Sequence, residues 1–233
     1  MRYISTRGQS EPHNFEQTVL AGLAPDGGLF LPESLPNAAP FQDKWRELPF
    51  AELFPEVVGL FVGGEIPAER LRAMSARAFG GFDHPEVIPV VSVGQTHVVE
   101  LFHGPTFAFK DIALQFLGNL FEFFLAQTKG RLTLVGATSG DTGSAAIAAL
   151  RGRPGIEVFI LYPFGRISPL QQRQMTTVPN PNIHAIAVEG NFDDAQAIVK
   201  GLFNDRAFNR EVSLGAVNSI NWVRVMGQLV YFF

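Results

Sequence analysis

The sequence predicts an α/β protein: a small N-terminal α+β segment followed by an incomplete doubly wound, mostly parallel sheet. Two observations carry this. From about residue 86, short apolar β-type runs alternate with stretches of helical spacing, the pattern of βαβ units. Before that point the rhythm is different, with Gly27-Gly28 and Pro25, Pro32, Pro36, Pro40 and Pro49 breaking the chain into short apolar pieces.

In chain order, residues 1–85 read as one unit of brief elements. Its clearest helix is Glu69–Phe79, where Leu71, Met74 and Ala78 share a face. The connector 80–85 sets the boundary, and 86–233 form the second unit. There His97–Phe102 reads as a strand, Phe109–Thr128 as a helix, Arg131–Gly136 as a strand and Thr142–Leu150 as a small-residue helix. Ile156–Tyr162 reads as a buried strand, Pro169–Thr177 as a helix, Ile183–Val188 as a strand and Asp193–Phe203 as a helix. Val212–Val217 is a further strand candidate, and Ile220–Phe233 closes the sequence as a strongly apolar helix. That helix has no Gly cap and no charged last turn, so its apolar face needs something to pack against. The expectation is that this is the N-terminal portion of a longer protein, whose C-terminal half packs on helix 220–233. The alternative is a terminal helix docked into the core.

Composition excludes several classes. The 233 residues are 46% hydrophobic and 17% charged, with no cysteine, so neither a disulfide framework nor a thiolate nucleophile is available. A net charge of −4 without like-charge blocks argues against nucleic acid and against a basic membrane patch. No apolar run approaches the ~18–20 residues of a membrane span, and the start lacks a secretory signal, so a cytoplasmic protein is expected. The histidines, at 13, 84, 97, 103 and 184, show no ligand spacing, and no metal site is expected.

Two segments carry chemistry. In Glu100–Asp111 the chain turns at Gly104-Pro105 and a helix starts near Phe109, with Thr106 as its expected N-cap and Asp111 in its first turn. Lys110, one of four lysines, follows Phe107-Ala108-Phe109. Desolvation and the helix dipole both disfavour a charged amine there, and a neutral amine is what attack on a carbonyl requires. Asp111 opposes this, and a lysine merely snorkelling from an amphipathic helix fits the spacing too. The second segment, Gly136–Gly143, lies between a strand and a helix. Its glycines allow close backbone approach, and Thr138, Ser139 and Thr142 add hydroxyls, which suits a carboxylate or phosphate; a capped tight turn fits equally. It is neither a Walker loop nor a dinucleotide fingerprint.

Together these segments resemble the threonine synthase family of pyridoxal-phosphate enzymes, which have the tryptophan-synthase-β-like fold. Tyr3–Gly8 and Gly22–Pro32 are similar to that family's N-terminal domain. Glu100–Asp111 is similar to its cofactor-lysine motif, with Lys110 in the lysine's place, and Thr138–Gly143 to its substrate-carboxylate loop. Asp141 stands where relatives with other substrates carry Asn. The resemblance implies conversion of O-phospho-L-homoserine and water to L-threonine and phosphate, with pyridoxal 5'-phosphate as cofactor. It implies that Lys110 holds the cofactor covalently and moves protons at the substrate carbons. It further implies that Thr138, Ser139, Gly140, Asp141 and Thr142 bind the substrate carboxylate, with Asp141 also near the cofactor's phenolic oxygen. The family's Gly-Asn-x-Gly phosphate loop lies beyond a helix like 221–233, so the 233-residue chain alone is expected to bind cofactor weakly. Another pyridoxal-phosphate lyase or dehydratase, or a non-catalytic remnant, are the competing readings.

Overall fold

A computed structural model describes residues 1–217 and 221–233. The N-terminal segment contains β1 (Tyr3–Ser5), α1 (Phe15–Ala21), β2 (Phe30–Pro32), α2 (Gln42–Trp45), α3 (Phe50–Val62) and α4 (Ala68–Phe79). Strands β1 and β2 pair antiparallel. Next come a hairpin, β3 (Val90–Val93) and β4 (Thr96–Val99), and the long helix α5 (Lys110–Thr128). The rest alternates: β5 (Leu132–Ala137), α6 (Asp141–Leu150), β6 (Ile156–Pro163), α7 (Pro169–Thr176), β7 (Ile183–Val188), α8 (Phe192–Asn204), α9 (Arg206–Val212), β8 (Leu214–Ala216) and α10 (Trp222–Leu229).

Strands β5 to β8 form a parallel sheet in the order β7-β6-β5-β8, so the chain moves outward from β5 to β7 and then returns to β5's other side. Both faces are covered. Leu134, Val158 and Ile160 face the main core with α5 and α6, whereas Val135 and Leu161 pack with Ala195 of α8 in a smaller cluster. This is the predicted mostly parallel, doubly wound architecture behind an α+β segment. One core runs through it, from Tyr3, Phe15 and Phe54 to Phe116, Ile147 and Trp222.

The N-terminal layer holds longer elements than its turn-rich sequence predicts. Helix α3 runs for 13 residues straight through Pro55. A proline inside a helix leaves the carbonyl four residues earlier without its amide donor. That carbonyl belongs to Ala51, and the buried Ser75 of α4 donates its hydroxyl to it at 2.6 Å. Nearby, the buried Tyr3 hydroxyl donates to Phe61 O near the end of α3 at 2.6 Å. Glu65 accepts from the N–H groups of Phe15 and Glu16, closing the start of α1 with the Asn14 capping box. Burial pushes the Tyr3 phenol well above its ordinary range.

Two strand expectations are shortened. Of the run His97–Phe102, 97–99 is strand, paired with β3 in an exposed two-stranded hairpin apart from the parallel sheet, and 100–109 is irregular. Of the strand candidate Val212–Val217, Leu214–Ala216 is strand, and Val212 instead ends helix α9. At the chain's end, Ile220 lies outside the described residues. From Trp222 the helix buries Trp222, Val223, Met226 and, just past its end, Val230 against α5, α3 and α1, leaving Val225, Phe232 and Phe233 exposed. One apolar face of the helix thus packs within this chain, and a second apolar patch stays open. Among the described residues no helix is long and apolar enough to cross a membrane, and no three His, Asp or Glu residues gather as metal ligands.

Candidate active site

The carboxyl ends of β5 and β8 border a cleft of about 560 Å³. This is where the chain reverses its direction of progress across the sheet, the place where open parallel sheets receive ligands. Val135–Ser139 and Thr142 form one wall with Ala216 and Val217, and α8 supplies the other through Phe192, Gln196, Val199, Lys200 and Phe203. Lys110 enters from the first turn of α5.

The strand-to-helix loop is built around Thr138. This buried residue accepts the amides of Gly140 and Gly143 on one Oγ1, at 3.0 and 2.9 Å. Gly140 has φ +136°, a conformation L side chains rarely adopt. At Gly143 an added Cβ would fall within 2.8 Å of Thr138, Ile160 and Met175, so only glycine lets α6 lie this close to the sheet. The loop is thereby aimed, and its tip presents Ser139 and Thr142 to the cleft.

Lys110 Nζ donates to Asp141 Oδ2 at 2.7 Å and to Thr142 Oγ1 at 2.8 Å. The Lys110 side chain is 15% exposed and Asp141 37%. Burial pushes the Asp141 carboxyl up, but the hydrogen bond and charge of Lys110, with the Thr142 amide, outweigh it and leave it below its ordinary value. A second cation lies within electrostatic reach of Asp141. Arg224, fully buried on α10, has its guanidinium pulled below its usual range by burial, and the Asp141 charge opposes that shift.

The cofactor-lysine segment differs from its predicted form. Phe109, not Thr106, occupies the N-cap position of α5. Thr106 instead gives both its amide (2.8 Å) and its hydroxyl (2.7 Å) to the carboxylate of Asp111, which is buried and turned into the loop. Burial raises the Asp111 carboxyl, and those hydrogen bonds only partly offset it. Asp111 is thus a brace for the loop. The carboxylate beside Nζ is that of Asp141, so the Lys110 amine is hydrogen-bonded rather than isolated among its aromatic neighbours. Phe107, with φ +60°, carries strain three residues before the lysine. The Phe109 ring centroid lies 5.7 Å from Nζ, within cation–π range.

Of the residues predicted for the site, Lys110, Thr138, Ser139 and Thr142 line the cleft, Asp141 joins through Lys110, and Gly140 is buried inside the turn. The α8 wall, Leu23, Ala216-Val217 and Arg224 escape the sequence reading. The signals available were the stripe 192, 196, 199, 200 and 203 on one helical face, and a single arginine in an otherwise apolar final helix.

The model for the threonine synthase N terminus matches residues 2–79, and that for pyridoxal-phosphate-dependent enzymes matches 97–230. A threonine synthase of Schizosaccharomyces pombe is 52% identical over 99% of this chain and 47% of its own length. The crystal structure of a threonine synthase from Brucella melitensis with bound pyridoxal phosphate superposes with TM-score 0.93 at 50% identity, covering all of this chain and 50% of that one. The yeast threonine synthase structure gives 0.90 at 47% identity, covering 99% and 48%. The chain thus spans about half the length of the relatives it matches. Matched along nearly its whole length, it belongs to the pyridoxal-phosphate-dependent enzymes, in the threonine synthase family.

Proposed function

We propose that this chain forms the cofactor-lysine half of a threonine synthase, which turns O-phospho-L-homoserine and water into L-threonine and phosphate in the cytoplasm. Residues 1–85 are its N-terminal domain, and 86–233 begin its catalytic domain. The observation that carries this reading is Lys110 Nζ, held between Asp141 and Thr142 where the sheet opens.

The residues present fit pyridoxal phosphate at its aldehyde end. An amine stands in a cleft of ligand-sized volume between apolar walls of Val135, Val199 and Phe203, which suits a flat ring. For the phosphate end, the cleft-lining residues offer Lys200 and no nest of glycine amides, in keeping with an anchor supplied by a further length of chain. Exposed Val225, Phe232 and Phe233, on α10 and just past it, are where that length would rest.

Bound, the cofactor supplies an electron sink for negative charge on the substrate carbons. Lys110 would hold it through Nζ and, freed by the substrate amine, would take protons from Cα and Cβ and return them to Cα and Cγ. The Ser139 and Thr142 hydroxyls bind the substrate carboxylate. Gly140 and Gly143 give their amides to Thr138 instead, which keeps the hydroxyls in place. The Cγ–O bond breaks to release phosphate, and water delivers its hydroxyl to Cβ.

Borohydride reduction of the chain mixed with pyridoxal phosphate, followed by peptide mapping, tests this reading. The label is expected on Lys110 and lost in Lys110→Ala. A label on Lys200, the other cleft lysine, would overturn it.

A further inference from the structure

We propose that Asp141 and Thr142 act as a latch on the cofactor lysine, holding its amine as an ammonium ion until an aldehyde arrives, so that covalent capture waits on the departure of one proton. This rests on Lys110 being the capturing residue.

The geometry is that of a closed clamp. Two of the three N–H bonds of an ammonium at Nζ point to the Asp141 carboxylate, at 2.7 Å, and the Thr142 hydroxyl, at 2.8 Å. The side chain is mostly withdrawn from water, so the attraction is weakly screened. The charged groups around it reinforce the assignment. On its own helix, Asp111 is committed to Thr106. On α10, the buried Arg224 is within electrostatic reach of Asp141. Across the cleft on α8, Lys200 is exposed. Asp141 is therefore the carboxylate bonded to Nζ among the described residues.

The chemistry sets the cost of the latch. An ammonium has no lone pair, so Nζ first gives a proton to water or a buffer base. The amine then adds to the aldehyde carbon, and water leaves as the C=N bond forms. The clamp holds the amine's position but slows its reaction. It also keeps a strongly nucleophilic amine from reacting with other carbonyl compounds before the cofactor binds.

Competitive acetylation of the full chain with acetic anhydride, read by peptide mass mapping between pH 6 and 10, tests the latch without requiring turnover. Exposed Lys129 and Lys200 serve as internal standards. In Asp141→Asn the relative labelling of Lys110 near neutral pH is expected to rise about tenfold, the scale of losing an adjacent opposite charge. The Asn oxygen can still accept the Thr142 amide, which preserves the turn. Asp141→Glu, which keeps the charge, should restore slow labelling, and Thr142→Val should accelerate it by a smaller factor. Lys110 labelling in Asp141→Asn within twofold of the parent overturns the latch. If borohydride mapping still places pyridoxal phosphate on Lys110 in that case, the functional reading stands and only the latch fails. A label elsewhere fails the reading itself.

Discussion

The helical layer of α1, α3 and α4 and the rim of the cleft use their polar side chains to opposite ends. In the layer, the Tyr3 and Ser75 hydroxyls and the Glu65 carboxylate each bind backbone groups at or near helix ends or at a proline. At the rim, Lys110, Asp141 and Thr142 bind one another through their side chains, beside open space. A backbone group buried in a helix has no second partner to turn to, so its hydrogen bond is permanent. A side chain facing a cleft can exchange its partner for a ligand. Thr138 joins the two regimes, lining the cleft while its oxygen accepts two amides.

Three substitutions test how separate the two regions are. The largest effect is expected at Phe54, fully buried against Phe79 and Phe116 at 4.8 Å centroid distances. Phe54→Ala should cost about 3–5 kcal/mol in denaturant titration, while borohydride labelling of Lys110 persists below the melting temperature. Loss of labelling in the folded variant would mean the layer and the rim are coupled. Ser75→Ala should cost about 1–3 kcal/mol, the scale of stranding a buried carbonyl, here that of Ala51. A neutral result would show that the proline-broken turn relaxes unaided. The smallest effect is expected at Asp26. Desolvation pushes its carboxyl up, but hydrogen bonds from Ser5, Gly28 and Gln9 outweigh this and bring it from 3.8 to about 2. Since the folded value lies below the unfolded one, its stabilisation is present above about pH 4 and lost as pH falls toward 2. Asp26→Asn should flatten that part of an acid-unfolding curve, and an unchanged acid limb would rule the contribution out.

Elements set by local periodicity could be read directly. β6 and β7 and helices α5, α6 and α8 begin and end within a residue of their predicted bounds, because their apolar patterns and the Asn191 capping box are local signals. Helix α3 was not read because a proline inside a helix is locally unfavourable, and the residue that makes Pro55 tolerable lies on another helix, 24 positions from Ala51. His97–Phe102 has strand composition, but nothing local says whether it joins the sheet or only a hairpin. At the site, Lys110 and Asp141 were each readable from their own segments. Their pairing across 31 positions follows from how α5 and α6 pack, whereas the diversion of Asp111 to Thr106 is a contact within five residues of one loop. The α8 wall was readable as a helical face, but its direction depends on which side of the sheet the connection takes.

The contact between the ends of the chain has a consequence for synthesis. The Trp222 ring lies 6.1 Å from Tyr3 and 5.5 Å from Phe61, and the Asn221 side chain donates to Val19 O across 202 positions. At about 5–20 residues per second, the opening residues wait roughly 10–40 s on the ribosome for the piece that covers them. During that interval a greasy seam around Tyr3, Val19 and Phe61 faces water, which makes the nascent polypeptide a natural client for holding chaperones.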